Sequence, residues 1–161
     1  MARSLIALLS IALSTAALAL PADRDLPITV NADQAEFDEG AGRATYSGNV
    51  VLVQGALRIE AERLTAVLVD GQVETMRATG DQAVFSDTPS AEQGEVKGIA
   101  NSIDWALKDQ VMVLTGAATL TQSTNTVIGE SVIYRQAKGT LEASSDGKGE
   151  RVQMILTPNN S

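Results

Sequence analysis

The chain contains no cysteine and no histidine, and only five of its 161 residues are aromatic. Without cysteine there are no disulfides, no thiol nucleophile and no thiolate metal site. Without histidine the commonest general base and metal ligand is missing as well, so no cofactor and no metal site is expected. Basic residues are few, 12 against 20 acidic, for a net charge of −8. That balance argues against nucleic acid, whose phosphates require a basic face, and against a polybasic membrane-surface protein. The scarcity of aromatics leaves Ala, Val, Thr and Leu to fill the interior. A core of that kind suits a narrow sandwich, or the lining of a groove that hydrocarbon completes.

What is present begins with an export signal. Arg3 is the only charge before Asp23, residues 5–18 form an apolar run rich in Leu, Ala and Ile, and the run closes on Ala17-Leu18-Ala19. A charged start, a short apolar middle and a small-x-small exit describe a secretory signal peptide. The run is shorter than the roughly 20 residues of a spanning helix. Cleavage is predicted after Ala19, with Ala22 the alternative. Removal of 19 of the 161 residues leaves 142, one domain (20–158) with a flexible tail at 159–161. Its charge is −9, because Arg3 is lost.

From Ile28 onward the sequence predicts strand after strand. Residues 48–54 are β-branched and apolar, and Leu57 to Leu64 alternates apolar with charged side chains. Period-2 alternation sends the two sets to opposite faces of a pleated strand. Further strands are predicted over 65–69, 111–115, 117–122, 126–134 and 152–156. Glu39-Gly40-Ala41-Gly42, Asp70-Gly71, Lys138-Gly139 and Asp146-Gly147 supply turns. Residues 86–95, with Pro89 and Gly94, form the one long irregular stretch. No apolar stripe of period 3.6 is found, so the fold class is all-β: a sandwich, roll or barrel.

The two halves of the chain resemble each other. A shift of 68 residues lays Gly48 on Gly116, Leu52 on Leu120, Gln54 on Gln122, Ile59 on Val127 and Glu62 on Glu130. The same shift lays Ala32 on Ala100 and Phe37 on Trp105. This predicts two similar β-units stacked into one body.

The residues with chemical potential are few. Val50 and Leu52 share one strand face and Val51 and Val53 the other. Phe37, Ile59, Phe85, Ile103, Trp105, Leu114, Leu120 and Ile133 are further inward candidates, as packed core or as a lipid-lined slot. Glu60 and Glu62 lie two apart, the spacing of paired acids in glycoside hydrolysis. Arg58 and Arg63 beside them make an ordinary charged face the better reading, and no catalytic residue is assigned. Asp33 with Glu36, and Asp81 with Asp87, lack the spacing of a calcium loop.

Three segments together carry a resemblance: Ile28-Thr-Val-Asn-Ala-Asp-Gln-Ala-Glu-Phe37, then Tyr46-Ser-Gly-Asn-Val-Val-Leu-Val-Gln-Gly55, then Ile59-Glu-Ala-Glu-Arg-Leu64. Gly98 to Ile103, Leu114 to Gln122 and Arg151 to Pro158 agree with it. Over roughly residues 28–158 the chain resembles the LptA/OstA-like family of lipopolysaccharide transport proteins. Trp105 stands where a Tyr is common, and Ser123-Thr124-Asn125 replaces a Gly-containing turn. The resemblance implies an open, V-shaped antiparallel β-jelly roll with an apolar slot for the acyl chains of lipopolysaccharide. It implies a periplasmic bridge of head-to-tail units between an LptC-like inner-membrane protein and an LptD-like outer-membrane translocon. Carried over by residue, the lining candidates are Val50, Leu52, Ile59, Leu114 and Leu120, with Phe37 and Trp105. The partner-edge candidates are Ile28 and Val30 at one end and Val152, Met154 and Leu156 at the other. A secreted structural or adhesive β-protein with a filled core and no ligand is the alternative. A carbohydrate-active enzyme is a third reading.

Overall fold

The computed structural model describes residues 25–157 except 92 and 149. The predicted signal peptide and the tail at 159–161 lie outside the described residues. Ten strands are present: β1 (Thr29–Asn31), β2 (Gln34–Asp38), β3 (Arg43–Gln54), β4 (Leu57–Val69), β5 (Gln72–Asp87), β6 (Val96–Ala106), β7 (Val111–Gln122), β8 (Asn125–Arg135), β9 (Thr140–Ser144) and β10 (Gln153–Ile155). No α-helix occurs among the described residues. All strands join one antiparallel sheet that does not close. Its order is β1-β3-β4-β5-β6-β7-β8-β10, with β2 beside β1 on β3 and β9 beside β10 on β8. Each outer edge is thus a pair of short strands laid along one long neighbour. Tight hairpins build this meander: Gly55-Ala56, Asp70-Gly71 and Ser123-Thr124 each join two long strands. Asp70 and Gly71 both have positive φ (52° and 76°), the backbone whose twist matches that of the flanking strands.

A line of irregularities crosses the whole sheet. Pairing shifts between Ser47 and Val50, Glu60 and Arg63, Thr79 and Ala83, Ile99 and Ser102, and Thr115 and Ala118. Bulges of this kind bend a strand, and here they fold the sheet into two layers. One layer holds β1, residues 50–54, 57–61, 83–87, 96–100, 118–122 and 125–129, and β10. The other holds β2, residues 43–47, 63–69, 72–79, 102–106, 111–115 and 131–135, and β9. Three contacts bring the layers face to face. Phe85 stacks on Tyr134 with ring centroids 6.4 Å apart. A Cβ on Gly98 would lie 2.6 Å from Leu114 Cδ2. Gln136 Nε2 donates to Asp87 Oδ2 at 3.0 Å, both residues buried.

The bulges also explain where the alternation read from the sequence goes wrong. In β4, Leu57 and Ile59 are buried, and so are Leu64 and Ala66, so the inward parity reverses between Glu60 and Arg63. The same reversal occurs in β5, β6 and β8, whereas β3 and β7 hold their parity by inserting two residues of positive φ, Gly48-Asn49 and Gly116-Ala117. Ile133, expected inward, is half-buried on the outer face, because β8 has changed phase and Val132 and Tyr134 point in instead.

The 68-residue repeat is a property of the backbone. Strand β7 begins and ends 68 residues after β3. Positive φ recurs at Gly42 and Gln110, Gly48 and Gly116, Asn49 and Ala117, and Gly55 and Ser123. The Leu68 N–H donates to the Gly42 carbonyl, and the Gln136 N–H to the Gln110 carbonyl. Even the obstacle at the bulge repeats: a Cβ on Gly48 would strike Asp33 Oδ2, and one on Gly116 would meet Asn101 Nδ2 at 2.8 Å.

Candidate functional site

Strand pairing arranges the inward side chains in rows that run across the sheet. One row reads Val30, Leu52, Ile59, Phe85, Gly98, Leu120, Val127, Met154. In the facing layer a second reads Phe37, Ala44, Ala66, Met76, Trp105, Met112, Tyr134, Leu141. The middle members of both rows are buried. The end members are not: Phe37 is 59% and Met154 58% exposed. The apolar interior therefore continues to both open edges instead of being capped there.

Val50, Leu52, Ile59, Leu114, Leu120 and Trp105 all lie between the layers, each at most 2% exposed. Leu52, Ile59 and Leu120 share the first row, Val50 lies one step toward the bend, and Leu114 faces them from the other layer. Phe37 stands apart at the β2 edge. Of the edge candidates, Ile28 and Val30 are half-buried beside β3, while Val152, Met154 and Leu156 are exposed. The expectation missed Phe85 and Tyr134 as a stacked pair bridging the layers. It also missed Leu141 and Ile155 at the C-terminal edge. Leu141 was within reach of a strand reading over 140–144, where apolar and polar residues alternate.

Outside the interior the surface is charged and carries ion pairs. Arg77 Nε donates to Asp104 Oδ1 at 2.6 Å and Nη2 to Oδ2 at 3.1 Å. The hydrogen bond and charge of Asp104 raise the Arg77 pKa further, so the guanidinium stays cationic. Arg58 pairs with Glu60, and Arg135 with Glu142 at 2.8 Å. Glu60 accepts hydrogen bonds from Arg58, and Glu60 and Glu62 are both exposed on the charged outer face. No group of three or more acidic residues among the described residues is placed to hold a metal ion. A groove on the outer face of the second layer is lined by Arg43, Thr65, Val67, Arg77, Asp104 and Val113, while Met76 and Trp105 stay buried beneath it.

An open antiparallel sheet, folded on a line of bulges around an uncapped apolar interior, defines an open β-jelly roll. Residues 29–140 match the model of a family described as LptA/(LptD N-terminal domain) LPS transport protein, and the chain belongs to that family. It is 31% identical over 152 residues to the lipopolysaccharide export system protein LptH of Pseudomonas aeruginosa, covering 90% of this chain and 87% of that one. It is 31% identical over 151 residues to LptA of Escherichia coli K12, covering 92% and 80%. The crystal structure of LptH, the LptA-homologous periplasmic component of the P. aeruginosa lipopolysaccharide transport device, superposes with a TM-score of 0.79 at 27% identity. That superposition covers 86% of this chain and 100% of LptH.

Proposed function

We propose that this protein is a secreted, non-enzymatic bridge module of the periplasm. It holds the acyl chains of lipopolysaccharide between its two layers and leaves the sugars and phosphates in water. The observation that carries this reading is the pair of apolar rows that run from edge to edge, one ending exposed at Phe37 and the other at Met154. A filled, self-contained sandwich has no use for an open row end, whereas a conduit that passes lipid to the next unit requires one. Val50, Leu52, Ile59, Leu114 and Leu120 contact the chains, with Trp105 beside them in the facing layer and Phe37 at the mouth. Each methylene buried there is worth about 0.8 kcal/mol, so a dozen supply roughly 10 kcal/mol. That is enough to spread the layers, whose facing side chains pack on each other in the empty protein. The net charge of −9 after signal cleavage opposes a phosphate grip, so binding is expected to depend little on salt. The edges at Ile28 and Val30, and at Val152, Met154 and Leu156, join copies head to tail and dock an LptC-like protein at one membrane and an LptD-like translocon at the other.

The test is photo-crosslinking in cells. A photoreactive residue replaces Leu52 in one variant and the exposed Glu62 in another, in protein shown to be folded. A light-dependent lipopolysaccharide adduct at Leu52 alone is the expected result. Adducts at neither site would favour the structural reading, in which the tight interior is simply a core.

A further inference from the structure

On the side away from the bend, the layers are joined by successive pairs of facing side chains from β5 and the end of β8. Phe85 stacks on Tyr134. Two residues further along each strand, Gln136 Nε2 donates to Asp87 Oδ2 at 3.0 Å. Period-2 alternation puts Asp87 on the face of Phe85 and Gln136 on the face of Tyr134. The second pair is polar, yet its members are only 3% and 4% exposed. Each is also held from its own layer: the Thr88 N–H donates to Asp87 Oδ1 at 2.9 Å, and the Gln136 N–H to the Gln110 carbonyl. Beyond Asp87 the chain touches both layers. The Gln93 carbonyl accepts from Gln122 Nε2 of the first layer at 3.3 Å. Gln93 Nε2 lies 3.2 Å from where a Cβ on Gly139, in the β8–β9 turn of the second layer, would stand. Residues 88–91 and 93–95 thus form a strap beside the polar pair. Strap and turns border a cavity of about 220 Å³ lined by Asp87, Ser90, Gln93, Gln110, Gln136 and Ala137. Gln93 Oε1 and Gln136 Oε1 are buried there without a donor among the described residues. A buried acceptor without a donor disfavours the state that buries it, so closing the layers here carries a cost that opening relieves.

The N-terminal half is built without the polar pair. In the 68-residue repeat Tyr134 corresponds to Ala66 and Gln136 to Leu68. Gln54 Nε2 donates to the Leu26 carbonyl at 3.0 Å, as Gln122 Nε2 does to the Gln93 carbonyl. Residues 25–27 therefore stand to β3 as the strap stands to β7, but Leu68 has no polar side chain to offer a latch. We propose that the Asp87–Gln136 pair, with the strap beside it, is a releasable latch, and that an acyl chain of lipopolysaccharide enters the C-terminal half of the interior only while it is parted. This rests on the lipid-carrying reading and adds to it a control of access. Phe85 and Tyr134 separate with the latch, because they join the same two strands one step nearer the bend. Leu120 lies in the row of Phe85 on the latched side, and its repeat mate Leu52 lies in the half without a latch. Lipid reaches Leu52 without breaking the pair and Leu120 only after it breaks.

The absence of cysteine allows the latch to be locked and released at will. The Asp87→Cys/Gln136→Cys variant of the secreted protein is closed with a short reducible cross-linker between its two thiols. A photoreactive residue replaces Leu120 in one series and Leu52 in another, in protein shown to be folded. Each protein is mixed with lipopolysaccharide and irradiated after increasing times. The closed link is expected to slow labelling at position 120 at least about tenfold relative to the same protein after reduction, the factor that a hydrogen bond to a buried charge contributes. Labelling at position 52 is expected to be unaffected. In parallel, Gln136→Leu, which installs the residue of the N-terminal half without any cross-link, is expected to label at position 120 about tenfold faster than the parent. Equal labelling at position 120 with the link closed and reduced, or no gain in Gln136→Leu, would overturn the latch. Equal slowing at both positions would overturn the asymmetry between the halves. Labelling at neither position in any form would sink the lipid-carrying reading and the latch with it.

Discussion

A side chain at Gly98 would meet both layers at once, and replacing it by alanine puts the two-layer packing to a quantitative test. The added Cβ would overlap Phe85 Cε1, lie 2.5 Å from Cδ1 of the same ring and 2.6 Å from Leu114 Cδ2. Phe85 cannot swing away freely, because its ring stacks on Tyr134, and both Phe85 and Leu114 are fully buried. The strain must be taken up by pushing the layers apart. Overpacking of this kind costs about 1–3 kcal/mol. A loss of about 2 kcal/mol corresponds to a fall in Tm of roughly 6–10 °C for a domain of this size. Calorimetry of the Gly98→Ala variant measures it. Phe85→Leu should relieve the clash, so the double variant should be more stable than the sum of the two single losses by at least about 0.5 kcal/mol. A Gly98→Ala protein as stable as the parent, or strict additivity with Phe85→Leu, would show that Phe85 does not press on this position.

Two further outcomes follow from the same geometry. Gly48→Ala and Gly116→Ala place a Cβ at φ of 80° and 83° against Asp33 and Asn101. Each should cost about 1–3 kcal/mol, and by similar amounts; urea midpoints of the two proteins check this, and a large difference between them would mean the two bulges are not equivalent. Gln136→Leu removes the donor to the buried Asp87 carboxylate and should cost about 1.5–3 kcal/mol. The loss should show as a lower midpoint with unchanged slope in urea, and a shift below about 0.5 kcal/mol would count against that hydrogen bond.

The sequence made the strands legible wherever a single parity rule holds along them. Val50 and Leu52 were assigned to one face and are buried, with Val51 and Val53 half-buried on the other. The repeat was legible because identical residues recur in one ungapped register, and the structure places those residues at equivalent bulges and turns. What could not be read was the phase change at each bulge. Nothing local in Glu60 to Arg63 announces it, because the bulge is defined by the partner strand. Hence Ile133 was expected inside, and Leu57 to Leu64 was read as one uninterrupted alternation. The lining candidates chosen by parity nevertheless lie inside, since each belongs to a segment that one phase covers. Phe37, at the end of its row, is inward by parity yet exposed. In the proposed head-to-tail bridge its neighbour on that side would come from another molecule.

The split edges also bear on how a bridge would carry load. Hydrogen bonds between strands lie across the strands, so in a chain of stacked copies they point along the line that joins the two membranes. Tension between the membranes would then act on each strand junction in series. The internal β5–β6 junction offers ten paired positions, whereas β1 with β2 presents only eight residues to a neighbour. In such a bridge, stretching of the envelope would part the junctions between copies before any copy unfolded. The modules would separate intact and could rejoin, and each junction would act as a reversible mechanical fuse.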